Sequence, residues 1–199
     1  MNRCLGFFTA TVLLIAALMI LPIHGESGIY DNVIRLHVLA ASDSEQDQAN
    51  KLTVRDAVLK KADTLLKNAD DRASAEQILR AALPELEAVA EAALRQCGAT
   101  QSVRVELDHE RYPTRRYEAL AFPAGEYLSL RVMIGEAEGQ NWWCVLFPQM
   151  CLSVASRERE ITCLAAGLSE GQYRFITQGA GTGYRVRFKL VEMAQEVFD

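Results

Sequence analysis

The chain lacks the surplus of positive charge that marks nucleic-acid binders. Lysine and arginine total 21 against 26 acidic residues, for a net charge of −5 and a pI near 5.3. That balance argues against a nucleic-acid footprint, and no run of like charge forms a tail or a membrane-surface patch. The usual catalytic signatures are also missing: no P-loop, no H-E-x-x-H and no nucleophile-serine motif occurs. Histidine is scarce. Beyond the first two dozen residues only His37 and His109 remain, and neither sits in a local cysteine–histidine signature. The carboxylates are numerous but scattered, with no recognisable acid–base frame. The cysteine spacings, six residues from Cys144 to Cys151 and eleven from Cys151 to Cys163, lack the C-x₂-C pairs of common zinc sites. Gly179 to Gly183 is glycine-rich but is not a G-x-G-x-x-G loop. No cofactor is expected from these residues.

What is present begins with an apolar N-terminus. Arg3 precedes a run from Leu5 to Ile23 that is apolar almost throughout, followed by His24, Gly25 and Glu26. This is the layout of a secretory signal, and its length also suits an uncleaved anchor. Ile23 fits an A-x-A cleavage site poorly, and Cys4 precedes the run instead of following it as a lipoprotein cysteine does. Residues 1–25 are therefore read as signal peptide or membrane anchor, and 29–199 as one domain. In an exported domain Cys97, Cys144, Cys151 and Cys163 meet conditions where disulfides form. Of the three pairings open to four cysteines, Cys144 with Cys151 is preferred because Pro148 helps turn the chain between them.

Periodicity predicts an α+β domain: an N-terminal strand and a helical hairpin packed on a mostly antiparallel sheet. Val33 to Leu39 is a branched-rich strand. A helix capped by Asp43 or Ser44 follows and runs to about Asn68, with Leu52, Leu59, Ala62 and Leu66 on its apolar face and Lys51, Arg55, Lys60 and Lys67 on its wet face. Asp47 and Lys51 are spaced as an i,i+4 ion pair. A second helix, capped by Ser74 with Gln77, ends at Gly98 and carries Pro84 in its interior, which predicts a kink or a break. From Ser102 the period changes to two. Strands are expected over Val103 to Leu107, Tyr117 to Phe122, Tyr127 to Ile134 and Asn141 to Phe147, with successive strands as antiparallel neighbours. A short helix is expected over Glu158 to Leu168, and a strand running into a helix from Val186 to Val197.

Both tryptophans lie in the last of the sheet strands, as Trp142-Trp143-Cys144. Adjacent strand residues point to opposite faces, so the two rings must enter different surroundings. Both can be core, or one can be a binding hot spot, where tryptophan is enriched.

Three blocks carry a family resemblance. They are Ile34 to Ala40 with Ser42-Asp43-Ser44, Asp47-Gln48, Lys51-Leu52 and Val54 to Val58; then Pro123 to Tyr127 with Leu130 to Val132 and Ile134-Gly135; then Asn141 to Pro148 with Cys151. In order and spacing they resemble stage II sporulation protein R of endospore-forming bacteria. One departure is Pro148-Gln149-Met150-Cys151, where the family often has Pro-Pro-Leu-Cys. The resemblance implies a signal, not an enzyme. Such a protein is made in the forespore, exported to the intermembrane space, and required by a membrane-embedded aspartic protease of the mother-cell membrane that removes the pro-sequence of sigma-E. On this reading the candidate partner-binding residues are Trp142, Trp143, Phe147, Asp47, Lys51 and Arg55. A cell-envelope cysteine hydrolase built on Cys144, and an envelope adaptor, are the competing readings.

Overall fold

The computed structural model describes residues 28–117, 120–150 and 156–178. The expected signal segment, Cys151 and the C-terminal strand and helix lie outside the described residues. Within them, β1 (Ile34–Leu39) is followed by two helices, α1 (Glu45–Leu66) and α2 (Arg72–Gln96). Then come β2 (Val103–Tyr112), the two-residue strands β3 (Arg115–Arg116) and β4 (Ala121–Phe122), β5 (Gly125–Ile134) and β6 (Asn141–Phe147). Helices α3 (Ser156–Ala165) and α4 (Glu170–Gln178) follow; the second of these was not anticipated. Among the described residues no helix is long and apolar enough to cross a membrane.

The α+β class is as expected, and the sheet is mixed. Its order is β2-β5-β1-β6, with β1 parallel to β5 and both outer pairs antiparallel. The expectation that β5 and β6 would be neighbours is wrong, because β1 lies between them. The reason is burial: Ile34 to Val38 is covered on both faces, and such a strand belongs in the middle of a sheet. Among the described residues of the predicted strand Tyr117 to Phe122, Ala121 and Phe122 form β4, which pairs with the two residues of β3.

Helix α1 starts where Ser44 Oγ accepts the Asp47 amide at 3.1 Å. The cap of α2 lies three residues before the predicted Ser74, at Asp71, whose side chain accepts from Ser74 N while Ser74 Oγ accepts from Asp71 N. The helix then continues through Pro84 without dividing and ends before Gly98, which takes a left-handed φ of 74°. The predicted faces of α1 need correction. Val54, Val58 and Ala62 set the buried stripe; Lys51, three residues before Val54, joins it at 5% exposure, while Leu52 is 40% exposed. Two residues along a helix is more than half a turn, so Leu52 turns away from Val54.

The sheet separates two apolar clusters. Leu36, Val38, Val105, Leu130 and Val132 face Val54, Val58, Leu79 and Leu86 of the helical hairpin. On the other face Tyr112, Tyr127 and Val145 pack with Ile29, Phe122, Cys163 and Ile176, a smaller core that covers only part of the sheet.

Candidate functional site

The alternation of side chains along β6 sends the two tryptophans into different layers. Trp142 packs against the helical core, and Trp143 against the smaller one. Each indole is half-buried and carries a guanidinium. Arg55 Cζ lies 4.8 Å from the Trp142 ring centroid, and Arg115 Cζ lies 3.5 Å from that of Trp143. Such contacts are each worth roughly 0.5–2 kcal/mol, more as they are desolvated. Arg55 also holds Asp56 at 2.7 Å. Phe147, at the far end of the strand, is buried in the helical core.

Beside Trp143 stands His37, its direct partner across the β1–β6 ladder. The two rings stack with centroids 5.3 Å apart and planes 29° apart. His37 Nδ1 donates to the Glu110 carboxylate at 2.9 Å, and Nε2 lies 2.8 Å from Asn141 Oδ1. Burial pushes the Glu110 carboxyl up, but the hydrogen bond and charge of His37, with Arg131 behind them, reverse this and leave it below its ordinary range. Arg131 also pairs with Glu106 at 2.5 Å. The imidazole is thus held at both nitrogens.

Asp47 and Lys51 do not form the predicted ion pair, and Lys51 is not on the wet face. The Asp47 carboxylate accepts from Ser42 Oγ at 2.5 Å and Gln101 Nε2 at 3.1 Å. Lys51 Nζ donates to Gln48 Oε1 at 2.6 Å and to the Gln140 carbonyl at 2.9 Å. Burial lowers the Lys51 pKa, Arg55 lowers it further, and Asp43 opposes both. Asp43 in turn accepts from the Gln140 amide at 2.7 Å, and Gly139 N donates to Ala40 O at 2.9 Å. A Cβ on Gly139 would collide with the Ser42 carbonyl. These groups clamp the turn before β6, so Asp47 and Lys51 fix where the Trp strand begins. Arg55 meets the same strand one residue deeper, at Trp142.

Sequence reasoning missed Arg35. Its side chain is 0% exposed. Four rings surround Cζ: Tyr112 at 4.6 Å, Tyr127 at 5.1 Å, Phe122 at 5.2 Å and Tyr117 at 5.9 Å. One nitrogen, Nη2, donates to Tyr117 Oη at 2.8 Å, while Nε and Nη1 are buried without a hydrogen-bond partner among the described residues. The available signal was the alternation of β1: with Ile34, Leu36 and Val38 facing the helices, Arg35 and His37 had to face the other way. Tyr117 is raised by burial, against the opposing charges of Arg35 and Arg115. Its hydroxyl reaches the Trp143 carbonyl at 3.4 Å, which links Arg35 to the Trp strand.

Cys144 is buried and disulfide-bonded. Among the described residues no cluster of three or more His, Cys, Asp or Glu is placed to hold a metal.

The description "Stage II sporulation protein R (spore_II_R)" matches residues 30–157, a span that holds β1 through β6. A protein of Bacillus subtilis (strain 168), "Stage II sporulation protein R", is 43% identical over 123 residues, covering 62% of this chain and 55% of the relative. The chain thus spans about half the length of that curated relative. No solved structure matches. With its α+β fold the chain therefore stands among bacterial sporulation proteins. Since the family match covers more than half of its residues, the chain belongs to the stage II sporulation protein R family.

Proposed function

We propose that this chain is an exported intercellular signal of sporulation. It is made in the forespore, passes into the intermembrane space, and is required there to activate the membrane-embedded aspartic protease that processes pro-sigma-E in the mother cell. The family match over residues 30–157 carries this reading. The half-buried tryptophans support it further: rigid aromatic surface held by guanidiniums on a fixed strand is what a partner-binding hot spot requires. In this reading the sulfur of Cys144 pairs with Cys151, an oxidised bridge suited to an exported domain. The protein acts as a ligand without chemistry of its own.

The cysteine-hydrolase alternative gains nothing from the positions of its residues. A thiolate nucleophile needs an adjacent base. The nitrogens of His37 are occupied by Glu110 and Asn141, and Cys144 is disulfide-bonded. The signalling reading is tested by following pro-sigma-E cleavage in a sporulating strain without this gene, with a complemented control. Accumulated precursor that complementation clears supports it, and normal maturation without the gene refutes it.

A further inference from the structure

A buried charge is stable when it is paired or fully hydrogen-bonded, and removing it from water otherwise costs more than any single contact returns. Among the described residues Arg35 meets neither condition. The rings around it stabilise its positive charge, but guanidinium N–H groups point outward in their own plane, where ring faces do not satisfy them. A second guanidinium stands close by. Arg115 lies over Trp143 with its Nε buried and unpartnered, and it makes no ion pair among the described residues. Of the acids on this face of the sheet, Glu110 is engaged by His37 and Glu106 by Arg131, while the exposed Asp108 accepts the His109 amide and pairs with neither Arg35 nor Arg115 among the described residues. Between the two cations sits the Tyr117 phenol. Its oxygen accepts from Arg35, and its own O–H donates to the Trp143 carbonyl across a long 3.4 Å, a bond that an incoming anion can replace.

We propose that Arg115 and Tyr117, backed by the uncompensated charge of Arg35, form a binding site for a carboxylate carried by an acidic segment of a partner protein. Arg115 and Tyr117 are each partly exposed, so the ligand reaches them directly. Arg35 is the inner group. It polarises the phenol by donating to it, which strengthens the O–H as a donor to an incoming anion. The guanidinium edge offers parallel N–H donors that match the two oxygens of a planar carboxylate. An anionic membrane suits the site less well. It presents a broad charged surface, and Glu106, Asp108 and Glu110 alternate along β2 on the same face and would repel it. A single carboxylate needs only the Arg115 guanidinium edge and the Tyr117 hydroxyl. The site does not depend on the assignment to pro-sigma-E processing.

The test uses the exported chain and a blocked tetraglutamate peptide, with tetraglutamine as control, read by tryptophan fluorescence and calorimetry. The expected result is saturable binding of tetraglutamate alone. Arg115→Gln and Tyr117→Phe should weaken it, the former by about tenfold or more. Arg35→Met should weaken it likewise while melting no earlier than the parent, because it removes a buried charge that no acid among the described residues pairs with. Should Arg35→Met fail to fold, the Arg115 and Tyr117 variants decide. No saturable binding, equal binding of tetraglutamine, or undiminished binding by Arg115→Gln overturns the proposal. Binding to phosphatidylglycerol vesicles in preference to tetraglutamate also overturns it.

Discussion

Lys51 Nζ lies 2.9 Å from the main-chain oxygen of Gln140, a residue 89 positions away, and so ties the first helix to the turn that starts the Trp strand. Lys51 belongs to the first block of the family resemblance and Gln140 directly precedes the third, and the hydrogen bond ties the two together. The ammonium is buried and fixed, and the strand is placed by it. A surface lysine would have no such consequence.

Truncating this contact should be costly. Lys51→Ala removes a part-buried, charge-assisted hydrogen bond to the Gln140 carbonyl, a loss of about 1.5–3 kcal/mol. Urea denaturation should show a lower midpoint with an unchanged slope, whereas Lys60→Ala, on an exposed position of the same helix, should show neither.

Gly139 makes the neighbouring restraint. An added Cβ meets the Ser42 backbone, which cannot yield as a flexible side chain would. Gly139→Ala should therefore destabilise by about 3 kcal/mol, near the upper end for overpacking. Thermal melting checks this, and a melting temperature equal to the parent's would show that the turn is not clamped.

The Glu110 carboxyl, lowered by His37 and Arg131 against the cost of burial, has a calculable pH signature. Its folded pKa lies below the unfolded value, so the unfolded state binds more protons between the two. Its stabilisation is therefore complete above the unfolded carboxylate pKa and disappears as pH falls through the folded one. Stability measured from pH 7 downward should fall less steeply for Glu110→Gln than for the parent. Identical acid limbs would remove Glu110 from the account.

The bridge proposed between Cys144 and Cys151 predicts that neither thiol of exported protein labels until a reductant is added. Mass spectrometry of the alkylated protein identifies the labelled sites. A labelled Cys144 would reopen the thiol-nucleophile reading.

Much of the fold was legible because local chemistry dictated it. Branched residues from Ile34 to Val38, the period-two run from Val103 and the caps around Ser44 and Asp71 each act within a few residues. The order of the strands was not legible in the same way. That β1 separates β5 from β6 follows from burial of Arg35 and His37 on its second face, and polar residues there conceal a central strand. The same concealment hid the site. Arg35 reads as a surface arginine until Tyr112, Phe122 and Tyr127 from three different strands, and Tyr117 from just after β3, are brought around it. Trp142 and Trp143 were correctly sent to opposite faces, since that needs only the pleat. Lys51 and Leu52 exchange their expected faces because the buried stripe runs through Val54, Val58, Leu59 and Ala62, and sequence periodicity does not choose between positions 51 and 52 at its start.

The most direct test of the signalling role joins the Trp strand to its proposed output. Pro-sigma-E processing is followed by immunoblot in a sporulating strain lacking the gene and complemented with the parent, Trp142→Ala or Trp143→Ala, with circular dichroism of each purified variant. The parent should restore cleavage and both variants should lose it. Trp143→Ala should keep its fold while Trp142→Ala, which packs on the helical core, should lose about 2 kcal/mol of stability. Normal cleavage in the uncomplemented strain, or full activity in both variants, would contradict the signalling role.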